Sequence, residues 1–313
     1  MPSPAANRRI DERLAALHDR HRPEGDAPFA ISLVGLDGEG HHAGDAEHRF
    51  PLQSISKVFA YAQALEDRGR DAVHERVGVE PSGDAFNSIV FDRPTDGPPR
   101  PHNPMVNAGA LVTTSLVEGA DDDERLARVL AEVRTYAGAE VEVDEAVAQD
   151  ELGRSDHNRA TAYLLREHGA LPEGTDVESL LLTYLRQCAI SMTCPQLALM
   201  AATLANGGVN PVTGERALGT RRLRDVLSVM HTCGMYDFAG QWAFEVGVPA
   251  KSGVSGGIMA VIPGKLGLAV FSPELDPHGN SVAGVAVCRE VSEVLGLHVF
   301  AAEEEDELLR DPR

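Results

Sequence analysis

Lysine is scarce in this 313-residue chain: three of its 28 lysine and arginine residues are lysine, and the other 25 are arginine. The three are Lys57, Lys251 and Lys265. Arginine keeps its proton in proteins, whereas a buried lysine can lose its proton and act as a base. The arginines are thereby excluded as base catalysts, and few positions remain for a lysine base.

Cysteine is also rare, and the four cysteines form no CxxC pair. Their spacing predicts neither a disulfide framework nor a zinc site. We expect reduced, buried thiols at Cys188, Cys194, Cys233 and Cys288, and no metal or organic cofactor.

Long apolar runs are missing, which argues against a membrane-spanning helix. The N-terminal 26 residues lack the apolar core of a secretory signal, so the expected location is the cytoplasm. The formal net charge of -20 would repel a phosphate backbone. We therefore expect no nucleic-acid partner, and a small or cationic ligand instead.

The local patterns predict an α+β fold. Residues 28–53 suggest two strands joined by a turn at Asp37-Gly38-Glu39-Gly40, and a helix follows from Ser54 towards Gly69. Between about Ala110 and Thr232 nearly all signals are helical, whereas the segment from Glu151 to Asn158 is polar and predicts a loop. The region after Lys251 predicts strands and a closing helix.

These patterns predict one two-lobed unit. Residues 1–27 form an N-terminal helical arm, and 28–313 form a single domain. Its sheet lobe comprises 28–60 and 245–303, and an inserted all-helical lobe covers about 61–244. The sheet is mostly antiparallel and flanked by helices, with the functional cleft between the lobes.

The tetrad Ser54-Ile55-Ser56-Lys57 is the first candidate catalytic motif. Residues three apart at the start of a helix share a face, so Lys57 can approach and deprotonate Ser54. The helix N-terminus also favours an oxyanion near the Ser54 amide. Alone, the tetrad fits equally well a serine N-cap followed by a solvated lysine.

The second candidate motif is Lys251-Ser252-Gly253. It is similar to the KTG-type motif of serine acylases, and it follows the SxxK tetrad in the expected order. We expect the strand after it to lie beside the first strand, one of its N–H groups to complete an oxyanion hole, and Lys251 to be a second cation that helps to keep Lys57 neutral. A simple turn with an exposed lysine is the alternative.

The combination resembles the fold of serine β-lactamases and DD-peptidases. The sequence around these motifs is similar to that of one family with this fold, the serine-dependent glutaminases, over roughly Ile31 to Phe300. The blocks that carry this resemblance, in order, are FPLQSISKVF, HNPMVNAGAL, the Glu151 to Asn158 block ending NRATAYLL, TYLRQCAI, GMYD and GVPAKSGVSGGI.

The resemblance implies hydrolysis of L-glutamine to L-glutamate and ammonia through a γ-glutamyl-enzyme intermediate, and it suggests a homodimer or homotetramer. It implies that Ser54 is the nucleophile and Lys57 its base, and that Val254 gives an N–H to the oxyanion hole. The implied contacts with glutamine come from Ser54, Asn107, Glu151, Asn158, Tyr184, Tyr236 and Val254.

Within that set, the resemblance pairs Glu151 with the α-ammonium and Asn158 with the carboxylate. It places Tyr184 and Tyr236 over the scissile amide, where one of them relays a proton to the departing ammonia. On spacing alone, Asn107 fits a turn, Glu151 and Asn158 fit ordinary surface or helix positions, and both tyrosines fit core positions.

One departure from the family concerns the N-terminal region. Members usually carry a tyrosine in a YIP-like element there, and RRIDERLAAL has neither this tyrosine nor the proline; Arg9 is a candidate replacement. Two alternative functions stay open: a β-lactamase-like or peptidase-like serine hydrolase, and a catalytically silent amino-acid sensor.

Overall fold

The central sheet takes its strands from both ends of the chain. The computed structural model describes residues 4–83, 88–95 and 97–301. The strands within them are β1 (Ala30–Gly35), β2 (Gly40–Gly44), β3 (Arg49–Pro51), β4 (Phe91–Asp92), β5 (Arg100–Pro101), β6 (Glu142–Val143), β7 (Ile190–Thr193), β8 (Ala250–Ser252), β9 (Gly257–Ile262) and β10 (Leu266–Phe271). The central sheet has the order β2-β1-β10-β9-β8, and its neighbours are antiparallel.

Helices surround this sheet. Those in the described residues are α1 (Pro4–His21), α2 (Ser56–Arg68), α3 (Arg70–His74), α4 (Asn107–Leu116), α5 (Asp122–Ala137), α6 (Glu145–Gly153), α7 (Asp156–Glu167), α8 (Val177–Cys188), α9 (Cys194–Ala205), α10 (Thr220–Cys233), α11 (Ala239–Glu245) and α12 (Val282–Leu295). None of these helices has the length and apolar character needed to cross a membrane. Helices with an antiparallel sheet confirm the predicted α+β class. The region of about 61–244 is mostly helical but not all-helical as predicted, because β4, β5, β6 and β7 lie within it.

The first hairpin forms where the sequence predicts it. β1 pairs with β2 from Ala30 to Val34, and the turn contains Gly38 with a φ of 81°. The Asp37 carboxylate accepts a hydrogen bond from the Glu39 amide at 3.2 Å, which closes the turn. Glycine reaches this left-handed conformation without a steric cost.

The position of the Lys251 strand differs from the sequence prediction. The strand after Lys251-Ser252-Gly253 is β9, and β10 lies between it and β1, so the prediction that it lies beside the first strand is wrong. The turn at Gly264, with a φ of 72°, returns the chain so that β10 pairs with β1. Lys251 itself lies on β8, at the edge of the sheet.

Both faces of the sheet are covered. Alternate residues of β9 belong to two hydrophobic cores, Ile258 and Ala260 to one and Met259 and Val261 to the other. Successive side chains of a strand point to opposite faces, so every residue of β9 is buried. The first of these cores contains Trp242 of α11; α9 packs on the other face.

The close approach of α9 depends on small residues. A Cβ on Gly267 of β10 would lie 2.2 Å from the backbone nitrogen of Ala202, so glycine is required there. α9 begins with a capping box in which Thr193 and Gln196 exchange side-chain and backbone hydrogen bonds. The helix is thereby fixed across β1, β9 and β10.

The polar segment from Glu151 to Asn158 is not a loop, so that prediction is wrong. α6 ends at Gly153 and α7 begins at Asp156. Asp144 caps α6 by accepting hydrogen bonds from two backbone amides. The polar residues lie at a break between two helices, where the local pattern resembles that of a loop.

A 3-10 turn links the sheet to the helical region. It spans Gln53–Ile55, immediately before α2, and it contacts β8, β9, α2 and α8. The Leu52 amide donates to the Ile190 carbonyl at 2.8 Å, which ties the entry of this turn to β7. Ser54 therefore lies where sheet and helices meet.

Candidate active site

Ser54 and Lys57 are in direct contact. The Lys57 Nζ and the Ser54 Oγ lie 2.6 Å apart, which is hydrogen-bonding distance. The 3-10 turn holds Ser54, and the first turn of α2 carries Lys57 on the same face. The structure thus brings together the first pair that the sequence selected.

Burial makes Lys57 suited to accept a proton. Its side chain has no exposed surface, and the loss of hydration lowers its pKa from 10.5 to about 8. Negative charge on Cys188 or Glu151 acts in the opposite direction. A lysine with this pKa is partly neutral near neutral pH, as a general base must be.

Lys251 lies in the same buried region as Lys57, and the two amines interact. It is fully buried, and both burial and the charge of Lys57 hold its pKa well below the usual value. Its Nζ donates to the Ser252 carbonyl at 2.7 Å and lies 3.9 Å from the centroid of the Tyr236 ring. Burial, rather than a charge on Lys251, is thus the main cause of the lowered Lys57 pKa.

Tyr236 reaches the same place from the turn after α10. Its hydroxyl donates to the Ser252 carbonyl at 3.1 Å. Burial raises its pKa to about 12, although hydrogen bonds with Ser54 and Ser252 act to lower it. Its φ of 57° is rare for a residue with a side chain, and such strain often occurs at functional sites. The phenol is protonated at neutral pH and can donate.

A group of amide and phenol side chains lies beside the dyad. Asn107, the first residue of α4, donates from Nδ2 to the Asn158 Oδ1 at 2.9 Å. Its Oδ1 accepts from the Tyr184 hydroxyl at 3.3 Å. Lys57 Nζ lies 5.5 Å from the centroid of the Tyr184 ring. Residues far apart in sequence thus form one polar cluster.

Glu151 connects to the nucleophile turn through Gln53. The Gln53 Nε2 donates a hydrogen bond to Glu151 Oε1. Burial raises the pKa of this carboxyl, whereas the Gln53 hydrogen bond and the charge of Lys57 lower it. Sequence reasoning missed Gln53, although it stands directly before Ser54 in the FPLQSISKVF block.

The Lys251-Ser252-Gly253 segment packs directly on the nucleophile turn. A Cβ on Gly253 would lie 2.7 Å from the Leu52 carbonyl oxygen, so the strand end can approach only because this residue is glycine. Val254 follows, and 40% of its surface is exposed. It directly follows Gly253, whose backbone packs on Leu52 and Gln53.

Two more residues behind the dyad were missed from the sequence. Ser56 Oγ lies 3.8 Å from the Cys188 Sγ. Burial raises the pKa of the Cys188 thiol, so it is uncharged near neutral pH. Cys188 follows Tyr184 by four residues on α8, a spacing that places both on one helix face. That spacing was the available signal.

The part of the chain that the structure describes contains no group of three or more histidine, cysteine, aspartate and glutamate side chains able to hold a metal ion.

Comparisons with known proteins agree with this geometry. The Glutaminase family model matches residues 22–300. A glutaminase of Trichormus variabilis is 57% identical over 272 residues, which span 87% of this chain and 80% of that protein. The crystal structure of Mglu in its glutamate form is 42% identical with a TM-score of 0.88, over 97% of this chain and 71% of that one.

A solved structure of a probable glutaminase from Bacillus subtilis is 35% identical with a TM-score of 0.87, and the match covers 93% of this chain and 98% of that one. Family model, relative and structures agree over nearly the whole chain. The family predicted from the sequence blocks is confirmed: the chain belongs to the glutaminase family.

Proposed function

We propose that the chain hydrolyses the side-chain amide of L-glutamine to L-glutamate and ammonia, with Ser54 as the nucleophile and Lys57 as its base. The observation that carries this proposal is the 2.6 Å contact between Ser54 Oγ and a fully buried Lys57 amine. A serine hydroxyl is a weak nucleophile until an adjacent base removes its proton.

In the acylation step, Lys57 takes the Ser54 proton while Oγ forms a bond to the side-chain amide carbon of glutamine. The carbonyl electrons move to oxygen, and the amides of Ser54 and Val254 stabilise the oxyanion. The support for these two donors is the packing of Gly253 against the nucleophile turn.

The leaving group needs a proton. When the oxyanion collapses, the C–N bond breaks, and the NH₂ group takes one proton to leave as ammonia. Tyr236 is the proposed donor, and the support for this role is the hydrogen bond between its phenol and Ser54. Lys57 then restores the proton of the tyrosine, so no net proton is lost.

Water completes the cycle. Neutral Lys57 removes a proton from the attacking water, whose oxygen forms a bond to the γ-carbonyl carbon of the glutamyl ester. The bond to Ser54 Oγ breaks and the serine recovers its proton. The products are glutamate and the free enzyme.

The polar residues around the dyad suit an amino-acid substrate. Glu151 supplies the negative charge that an α-ammonium requires, and Asn158 offers an amide group for the carboxylate end. Asn107 is the proposed substrate contact near the nucleophile. These roles are supported by the closeness of the residues to the dyad. Gln53, which precedes Ser54, donates a hydrogen bond to Glu151, and Tyr184 donates one to Asn107.

Trapping the intermediate tests this proposal. Wild-type protein is mixed with L-glutamine, quenched in acid and analysed by intact mass and peptide mapping. We expect a glutamyl adduct on Ser54 that Ser54→Ala lacks. An adduct on another residue would overturn the assignment. Turnover of nitrocefin by the wild type would favour the β-lactamase-like alternative instead.

Assembly and location are further parts of the proposal. We propose a homodimer or homotetramer, because large apolar side chains such as Phe244 and Phe300 are exposed on the described surface. A cytoplasmic location is supported by four cysteines that are all unpaired thiols. Light scattering after size-exclusion chromatography tests the first, and cell fractionation tests the second.

A further inference from the structure

A chain of hydrogen bonds runs through the buried core behind the nucleophile. The Thr114 hydroxyl donates to the Gln187 Oε1 at 3.2 Å, and Gln187 Nε2 donates to Ser56 Oγ at 3.4 Å. The Ser56 hydroxyl then donates to the Gln53 carbonyl oxygen at 2.7 Å. Thr114, Gln187 and Ser56 have no exposed surface. Every bond points the same way, towards Gln53.

The last acceptor belongs to an unusual peptide unit. Gln53 has a φ of 52°, a left-handed conformation that residues with a side chain rarely adopt. Its carbonyl and the Ser54 N–H are the two ends of one planar peptide group. A bond that fixes the direction of the carbonyl therefore also fixes the direction of the Ser54 N–H.

We propose that Ser56 and Gln187 are positioning residues that orient and polarise the Gln53–Ser54 peptide, so that the Ser54 N–H acts as an oxyanion donor. Hydrogen bonds in series strengthen one another in a buried environment. When the carbonyl of a peptide group accepts a strong hydrogen bond, the N–H of the same peptide group becomes a better donor. The inference rests on the proposed function, which gives the Ser54 amide this role.

The Gln53 carbonyl also accepts a hydrogen bond from the Ser56 backbone N–H, so Ser56 binds it through both its backbone and its side chain. Ser56 has one hydroxyl proton, and the 2.7 Å bond to Gln53 is much shorter than the 3.8 Å separation from Cys188 Sγ, a weak acceptor. The Gln53 side chain is held by Glu151. Side chain and carbonyl of Gln53 are thus both tied, which maintains its strained backbone.

An oxyanion donor acts mainly in the transition state, so weakening it should lower kcat more than it changes ligand affinity. Loss of one such donor lowers kcat by about 100-fold to 1,000-fold. If the Ser54 N–H is kept but is no longer well oriented, kcat should fall by less than it would on complete loss of the donor. Affinity for the ground state, and for the product glutamate, should change little.

The test compares Ser56→Ala and Gln187→Met with Ser292→Ala. Ser292 is a matched control, because its buried hydroxyl also donates to a backbone carbonyl, that of Val246 at 2.6 Å, but lies on α12. We measure kcat and KM for L-glutamine, glutamate affinity by calorimetry, and the folded fraction by circular dichroism.

We expect Ser56→Ala to lower kcat at least about tenfold relative to Ser292→Ala, with KM and glutamate affinity changed less than about threefold. Gln187→Met should give a smaller fall of the same kind. A kcat within about twofold of the control, or a parallel loss of glutamate affinity, overturns the inference. If Ser56→Ala does not fold, the kcat of Gln187→Met decides by the same criteria.

Ser54→Ala is measured in parallel to separate the two proposals. If Ser54→Ala is inactive while Ser56→Ala and Gln187→Met match the control, only the positioning role fails. If Ser54→Ala retains activity, the proposed function itself fails.

Discussion

Ser54 Oγ and Lys57 Nζ lie 2.6 Å apart, and the lysine has no exposed surface. Contact and burial act together: burial lowers the pKa of the Lys57 amine, and the contact holds this amine beside the Ser54 hydroxyl. Without an assisting base, the serine hydroxyl would remain a poor nucleophile.

Replacement of Lys57 by arginine tests the requirement for a base. Arginine keeps a positive charge but cannot accept a proton at accessible pH. We expect Lys57→Arg to lower kcat by about 100-fold to 10,000-fold. Lys265→Arg, at an exposed turn between β9 and β10, should behave like the wild type. Retention of a tenth of the activity by Lys57→Arg would refute a lysine base.

The pH dependence follows from the same residue. Lys57 must be neutral to accept the serine proton, and its pKa is lowered from 10.5 to about 8. Activity should therefore rise with pH through about 8 and level off above it. We would measure kcat/KM across this range at constant ionic strength. A profile with no rise there would contradict the assignment.

The two tyrosines should give different kinetic effects. Tyr236→Phe removes a hydroxyl that hydrogen-bonds with Ser54, so we expect mainly a lower kcat, by about 100-fold. Tyr184→Phe removes the bond to Asn107, so we expect mainly a higher KM. Steady-state kinetics of both variants decide which phenol serves the leaving group. A reversed pattern would assign the proton transfer to Tyr184.

Gly253 should tolerate no side chain. The Cβ of Gly253→Ala would lie 2.7 Å from the Leu52 carbonyl and displace either β8 or the nucleophile turn. We expect a loss of about 1–3 kcal/mol in the free energy of unfolding and a kcat lowered more than about tenfold. Gly240→Ala is the control, because its Cβ would meet no atom within 4 Å. Equal behaviour of the two variants would disprove the close approach.

Local patterns were sufficient for several parts of the fold. Alternating residues and the Gly38 turn predict the first hairpin, and helical spacing predicts α2 and its end near Gly69. The contact between Ser54 and Lys57 follows from their spacing of three. These features depend on neighbours in the sequence, which is why single-sequence reasoning finds them.

Other features depend on tertiary packing, and the sequence did not reveal them. The insertion of β10 between β1 and β9 depends on pairing across more than 200 residues, which no local pattern encodes. The left-handed backbone of Gln53 and its contacts with Ser56 and Glu151 join parts of the chain that local patterns do not connect. The complete burial of Lys251 also came only from the structure.

Release of ammonia and glutamate from L-glutamine tests the central claim most directly. Purified wild type is measured beside Ser54→Ala and Lys57→Ala, with L-asparagine as the alternative substrate and thermal melting as the binding assay. The account predicts release by the wild type that both variants abolish. If the wild type releases no ammonia while glutamine still raises its melting temperature, the result would contradict the proposed enzymatic activity and indicate an amino-acid sensor.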